Sequence, residues 1–251
     1  MVVAEPSVYL SVVIPLHKGF ERLAAQLGCV QAFLQAQPRP AELILVDDSG
    51  ERDRDGCGEL CQGVAGVTVL HNETNRGKGY SVARGMLAAS GIYRVFTDAD
   101  LAYPVTEIAK IVRDLEDGSD VAIACRVLPE SRYLISPSFF HYLYTRHLMS
   151  RAFNRLVRMA FLPKVLDTQA GLKGFAAHAA ELVFRRLTVD GFGFDVEALY
   201  IAAKHRLRIR QTAVAFRYDN EPSTVRFARD AAAMLRDLAK IRWNDWRGRY
   251  A

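Results

Sequence analysis

The chain has 251 residues, half of them hydrophobic and 24% charged, which is enough for one large α/β domain or two small ones around a sizeable core. That composition excludes a wholly disordered chain. The net charge of +5 is modest, and no apolar run reaches the length of a membrane span, so no transmembrane helix is expected.

Residues Met1–Ser7 carry Glu5 and Pro6 and lack a basic start, so they do not read as a signal peptide. From there, short apolar, β-branched runs alternate with helical patterns. Val8–Ile14, Leu43–Val46, Val67–Leu70, Tyr93–Thr97 and Val121–Ala124 predict strands; Gly19–Ala36, Gly79–Ala89 and Val105–Leu115 predict helices between them. This order predicts an α/β fold, Rossmann-like, with a mainly parallel sheet covered by helices on both faces. Ligands of such sheets bind at the carboxyl ends of the strands. The polar residues cluster there: His17-Lys18, Asp47-Asp48-Ser49 and Asp98-Ala99-Asp100.

The second half has a different pattern. Phe139–Phe161 is a long helical stretch in which aromatic residues interleave with Arg146, Arg151, Arg155 and Arg158. A polar segment, Asp167–Lys173, precedes helical patterns at Ala177–Leu187 and Val196–Lys204. Arg208–Arg217 alternates like a strand. Thr224–Trp243 predicts a strong helix, with Phe227, Ala231, Met234, Leu235, Leu238 and Ile241 at helical spacing. The simplest division is one domain over residues 1–223 and a C-terminal amphipathic, basic helix over 224–251. Residues 226–251 hold seven Arg or Lys against three Asp. Such an end, with Arg229, Arg236 and Lys240 on one face and Trp243 and Trp246 following, suits an anionic membrane surface; the plain alternative is a solvated helix face. No RNA-binding motif accompanies it, so nucleic acid is not the expected partner. Cys29, Cys57, Cys61 and Cys125 form no zinc pattern and read as reduced thiols of a cytoplasmic protein. His141, His147 and His205 show no metal-ligand spacing.

The sharpest chemical signal is Phe96-Thr97-Asp98-Ala99-Asp100, an apolar strand that ends in two carboxylates. A turn there can bring both toward one hard cation, Mg²⁺ or Mn²⁺, whose remaining ligands are phosphate oxygens. A second acidic pair, Asp47-Asp48, ends an earlier strand. Its carboxylates can accept hydrogen bonds from a nucleobase, or serve an ordinary Asp-Ser-Gly turn. Asn75-Arg76-Gly77-Lys78-Gly79 opens a helical pattern, and its glycines let backbone approach a phosphate. It is neither a Walker A loop nor a G-x-G-x-x-G, which disfavours a P-loop NTPase and a nicotinamide dehydrogenase.

Together V-V-I-P ending at Pro15, V-D-D-S, N-R-G-K-G and T-D-A-D resemble family 2 glycosyltransferases. Asp167-Thr168-Gln169-Ala170-Gly171-Leu172-Lys173-Gly174-Phe175 is similar to the D-T-Q-C-G-F-K-x-F signature of the dolichyl-phosphate β-glucosyltransferase branch, and Phe194-Asp195-Val196-Glu197 to its F-D-V-E element. The resemblance implies a GT-A fold, inversion at the sugar carbon, a UDP-glucose or other nucleotide-sugar donor, and a polyprenyl or dolichyl phosphate acceptor. It implies that Pro15, Leu16, Asp47, Asp48, Gly77, Lys78, Asp98 and Ala99 surround the donor, with Asp98 and Asp100 at the metal. Asp195 falls where relatives hold a general base; Lys78 or Arg126 can add positive charge near a phosphate, and Gln169 and Asp167 line the acceptor side of the cleft, where Asp167 can instead be a turn carboxylate. A lipid acceptor implies a peripheral position at the cytoplasmic membrane face. The alternative is another nucleotide sugar with a glycan or small hydroxyl acceptor. This chain departs from the pattern at His17-Lys18-Gly19, where relatives carry an Asn-Glu-Glu-type run, and at Cys125, where they carry Ser.

Overall fold

The computed structural model of the protein describes residues 8–17, 20–50, 61, 66–135, 153–218 and 227–251. In chain order the elements begin β1 (Leu10–Leu16), α1 (Phe20–Gln35), β2 (Ala41–Asp47), β3 (Val67–His71) and α2 (Lys78–Ala88). They continue with β4 (Tyr93–Thr97), α3 (Thr106–Glu116), β5 (Val121–Cys125), β6 (Arg132–Ile135) and a helix α4 described over residues 153–160. Then come β7 (Leu172–Ala176), α5 (Ala177–Phe184), α6 (Phe194–Lys204), β8 (Ile209–Ala213), β9 (Ala215–Tyr218) and α7 (Phe227–Trp246). Residues 139–152 of the expected aromatic and Arg-rich helix, with His141 and His147, lie outside the described residues, as do Lys18, Gly19 and Cys57 and the side chain of Arg229.

One sheet runs β3-β2-β1-β4-β7-β5-β8. Alternation along its strands divides the core between two faces. Val13, Ile44, Val46 and Phe96 face α2, α5, α6 and α7. Val12, Ile14, Leu43, Leu45 and Val95 face α1 and α3. The chain builds outward from β1 through β2 to β3, then returns to place β4 on the other side of β1. That reversal opens a crevice beyond the ends of β1 and β4, where this fold class binds ligands.

Three sequence expectations need correction. Asp167–Lys173 does not end as an irregular polar segment: its last two residues begin β7, antiparallel to both β4 and β5. Lys173 and Gly174 interrupt the apolar run that would have marked this strand. Because β7 runs backward, Leu172 pairs with Thr97, so the loop before β7 lies at the carboxyl end of β4. Arg208–Arg217 is not one strand. It divides at buried Val214: β8 completes the main sheet, while β9 pairs in parallel with β6.

The third concerns the C-terminal helix, which is not an appendage in its described part. Leu238, Ile241 and Tyr250 are buried in the same core cluster as Phe96 and Phe194. Its polar residues bind the domain too. Lys240 donates to the Thr188 carbonyl at 2.6 Å, Tyr200 donates to Asp245 at 2.7 Å, and the Tyr250 hydroxyl donates to buried Glu197. Burying a Leu or Ile side chain contributes about 1.5–3 kcal/mol. With Leu238, Ile241 and Tyr250 buried, ending the chain at residue 223 is therefore expected to cost an amount comparable to the whole ~5–15 kcal/mol stability of a typical domain. We expect an insoluble or non-cooperative product by thermal denaturation. A truncated chain melting at the full-length midpoint would instead make the helix an independent unit.

Candidate active site

At the end of β4 the chain makes a tight turn. The Leu101 amide donates to the Asp98 carbonyl at 3.0 Å, and Leu101 takes a positive φ of 44°. Asp100 Oδ1 accepts from the Ala102 amide at 3.0 Å. The turn brings both carboxylates within electrostatic reach of one ammonium, that of Lys78. Lys78 Nζ lies 2.6 Å from Asp98 Oδ1. Burial works to lower the proton affinity of Lys78, but Asp98, Asp195 and Asp100 outweigh it, so the group titrates above the usual lysine range. Its ammonium also lies 6.0 and 5.8 Å from the ring centres of Phe192 and Phe194.

The loop that presents Lys78 is held by Asp48. That buried carboxylate accepts from the Arg76 amide at 2.7 Å, the Gly77 amide at 2.8 Å and the Asn72 side chain at 2.7 Å. Asp47 accepts from the Ser49 amide and the His71 ring, each at 3.0 Å, and from the Ser49 hydroxyl. Leu16 is buried, and its carbonyl takes the Asp48 amide at 2.7 Å; Pro15 and Ala99 are half-buried beside these strand ends. The glycines serve a purpose other than the expected one. A side chain at Gly77, whose φ is 98°, or at Gly79 would collide with the backbone of Val189 and Asp190. The Gly79 amide donates to the Asp190 carbonyl at 2.7 Å. These glycines therefore admit a crossing chain, and the amides of Arg76, Gly77 and Gly79 are occupied by in-chain acceptors rather than left for a phosphate.

Behind this loop lies a buried ion pair. Lys173 has no exposed surface; its ammonium donates to Asp195 Oδ1 and to the Ala170 carbonyl. It also sits 5.5 Å from the centre of the Phe96 ring. Asp195 stands in the first turn of α6, where the helix dipole favours negative charge. Burial raises its proton affinity; Lys173 and Lys78 oppose this, and the net direction is upward. Burial lowers that of Lys173, with Asp195 opposing. A carboxyl with raised proton affinity suits proton abstraction. Asp195 is only 4% exposed, however, and one of its oxygens is already committed to Lys173.

Arg126, just past β5, forms a fork with Asp167: Nε donates at 2.8 Å to Oδ2, and a terminal nitrogen at 3.0 Å to Oδ1. The Arg126 amide adds a third bond at 3.0 Å. Burial raises the Asp167 carboxyl, but Arg126 and then Lys173 outweigh it, leaving it below the usual carboxylate range. Asp167 thus fixes the Arg126 guanidinium in one plane. Gln169 is half-buried, with its amide 3.8 Å from the Met234 sulfur of α7.

Among the described residues no group of three or more His, Cys, Asp or Glu could cage a metal. The donor set at the turn is two carboxylates, Asp98 and Asp100. That fits Mg²⁺ or Mn²⁺, which bind through one or two carboxylates plus substrate phosphates. Two site residues carried no assigned role in the sequence reading. A charged residue between Leu172 and Gly174, inside an otherwise apolar strand, was the available signal for Lys173. Gly171 gave none: its Cα rests against the Asp98 carboxylate, and any Cβ there would strike Oδ2.

Two outcomes follow from this packing. Gly171→Ala is expected to displace Asp98 and lower turnover at least tenfold with the fold retained, as read by initial rates beside circular dichroism. Lys173→Met leaves Asp195 buried without its partner and is expected to cost about 3–5 kcal/mol. Lys173→Met combined with Asp195→Leu is expected to regain most of that in denaturant titrations; equal losses in the single and double variants would contradict the pairing.

Comparison with known proteins bears on this geometry. The profile of Glycosyl transferase family 2 matches residues 11–173, from β1 to Lys173 in β7. A human dolichyl-phosphate beta-glucosyltransferase is 32% identical over 224 residues, covering 83% of this chain and 67% of the relative. The Saccharomyces cerevisiae protein of that name is 28% identical over 257 residues, covering 95% of this chain and 75% of the relative. Glucosyl-3-phosphoglycerate synthase from Mycobacterium tuberculosis, solved with Mn²⁺, UDP-glucose and phosphoglyceric acid, is similar in fold with a TM-score of 0.64 at 17% identity. That likeness covers 93% of this chain and 79% of the other. By its profile match and its relatives, this chain belongs to glycosyltransferase family 2 and is a glycosyltransferase.

Proposed function

We propose that the enzyme transfers a hexose, glucose from UDP-glucose, to a polyprenyl or dolichyl phosphate with inversion at the sugar carbon. The observation that carries this reading is the turn at the end of β4, where Asp98 and Asp100 face the Lys78 ammonium at the sheet's crevice. The relatives named dolichyl-phosphate beta-glucosyltransferase support the acceptor and the sugar. UDP-glucose with Mn²⁺ in a structure of similar fold supports the donor.

In this reading Asp98 and Asp100 hold Mg²⁺ or Mn²⁺, which when bound neutralises charge on the diphosphate leaving group. An acceptor phosphate oxygen attacks the anomeric carbon. The bond from that carbon to the donor diphosphate breaks, and the nucleoside diphosphate leaves with the electron pair. The acceptor is already anionic, so no proton needs removal at the attacking atom. Arg126, fixed by Asp167, supplies a cation for phosphate oxygens, and Gln169 lines the same side. Asp48, or its neighbour Asp47, serves the nucleobase side of the crevice, which these buried carboxylates shape through their in-chain bonds together with Pro15, Leu16, Gly77 and Ala99. Asp195 orients a sugar hydroxyl. Its raised proton affinity favours a second reading, in which it takes the proton of a glycan or small hydroxyl acceptor.

The membrane face we assign differs from the one read in sequence. Lys240 turns inward to Thr188, while Leu235, Trp243 and Trp246 of α7 are exposed, with Trp243 and Trp246 rings 5.3 Å apart. Exposed Arg247, 6.0 Å from the centre of the Trp243 ring, flanks them, whereas Arg242 donates to the Ala160 carbonyl and lies over the Phe161 ring. Interfacial Trp beside Arg suits a helix lying on anionic lipid. No helix among the described residues is long and apolar enough to cross a membrane.

The direct test is a panel of UDP- and GDP-sugars, each with and without a short-chain polyprenyl phosphate. UDP-glucose with the lipid phosphate is expected to react fastest, and Asp100→Ala to lose most of that rate. Faster transfer to a hydroxyl acceptor would favour the second reading. Trp243→Ser with Trp246→Ser is expected to weaken sedimentation with phosphatidylserine vesicles and to slow transfer to long-chain acceptor. Transfer to the soluble short-chain acceptor is expected to persist; an equal loss on both acceptors would remove the membrane role.

A further inference from the structure

We infer that Lys78 is the resident counter-ion of Asp98 and must leave it when a divalent cation binds, so that ion binding and release of this lysine are one exchange. The inference rests on the proposal that Asp98 and Asp100 hold the ion. Asp98 is closed on one side and guarded on the other. Its Oδ2 lies against Gly171 so tightly that not even a methyl group fits between. Its Oδ1 carries the Lys78 ammonium at 2.6 Å. Oδ1 itself has no surface open to solvent, so a cation can reach it only by displacing the positive charge already seated there. The same ammonium also feels Asp100, the other proposed ligand, and Asp195 behind it. Lys78 thus neutralises the carboxylates that the ion would neutralise.

The exchange needs only the lysine side chain to move. The backbone at the start of α2 is fixed on both sides of it: the Gly77 amide on Asp48 at 2.8 Å, and the Gly79 amide on the Asp190 carbonyl at 2.7 Å. The Phe192 and Phe194 rings flank the ammonium, and Lys173 already occupies Asp195. A released Lys78 therefore keeps only Asp195, shared with Lys173, as anionic charge in the protein. The incoming diphosphate supplies more. Ion and nucleoside diphosphate then bind more tightly together than either does alone, and by linkage each strengthens the other by the same factor.

The test uses Mn²⁺ alone, without sugar or acceptor, titrated into the full-length protein and followed by electron paramagnetic resonance. Wild type is expected to bind weakly, and to gain at least tenfold in affinity when UDP is present. Lys78→Met is expected to bind Mn²⁺ alone at least tenfold more tightly than wild type, and to lose most of the UDP-dependent gain. Lys78→Arg, which keeps the charge, is expected to stay near wild type. Unchanged or weaker Mn²⁺ binding in Lys78→Met, with wild type still binding Mn²⁺ in UDP, overturns the exchange and leaves the metal site standing. No Mn²⁺ binding by wild type even with UDP overturns the metal site and the exchange together. A measurement on wild type covers a variant that fails to fold: acetylation of Lys78, read by mass spectrometry, is expected to rise several-fold on adding Mn²⁺. An unchanged or slower rate counts against the exchange.

Discussion

A lysine with no exposed surface, in a strand hydrogen-bonded on both sides, is the constraint on which the site depends. Lys173 in β7 cannot reach water, and an ammonium buried without a partner costs several kcal/mol or gives up its proton. The chain answers with Asp195 and the Ala170 carbonyl. Meeting that need sets where α6 begins relative to the sheet. The start of α6 sets the course of residues 188–193, which Glu197 ties down from below through the Thr188 and Val189 amides. Those residues cross the start of α2 closely enough to require Gly77 and Gly79. Lys78 stands between these two glycines. One buried ion pair thus fixes, through backbone packing, the position of the cation that faces Asp98.

The charges lie in two layers, and the division of labour follows from their exposure. The inner pair, Lys173 and Asp195, is almost enclosed, with one Asp195 oxygen held by Lys173, so it resists rearrangement. The outer pair, Lys78 and Asp98, is one-fifth and about one-third exposed, so its members can change partners. Arg126 and Asp167 form a third pair whose two-point geometry favours a fixed guanidinium over a mobile one. Under the proposed reaction, a guanidinium held in place needs no reorganisation as phosphate charge develops beside it. A cation that must travel adds an ordering step before the reaction.

The C-terminal helix serves this arrangement from the opposite side. Asp237 packs against Gly193 at the start of α6, and Lys240 and Asn244 bind Thr188. Gln169 meets Met234 near the loop that carries Asp167. The inner face of α7 therefore braces both the Asp195 and Gln169 segments, while its outer face presents Leu235, Trp243 and Trp246. A helix with one face in the core and an apolar, Arg-flanked outer face places any surface it touches near the residues it braces.

The strands and helices from β1 to β5 could be read from periodicity because hydrophobic alternation is a local property of a strand between two covered faces. The same alternation placed Asp47, Asp48, Asp98 and Asp100 at strand ends, and so on the side of the sheet where ligands bind. What each of those residues touches could not be read that way. Asp48 binds amides 28 and 29 positions away, and Lys173 finds Asp195 at a separation of 22. Spacing carries no record of such pairings. By itself the sequence determined the alternation of elements, the acidic strand ends and the family motifs, since all three are written in neighbouring residues. The direction of β7, the crossing of residues 189–190 over the glycines, the seating of Lys78 on Asp98 and the docking of α7 were decided only by tertiary structure. Each depends on which distant surfaces can exclude water together while leaving no buried charge without a partner.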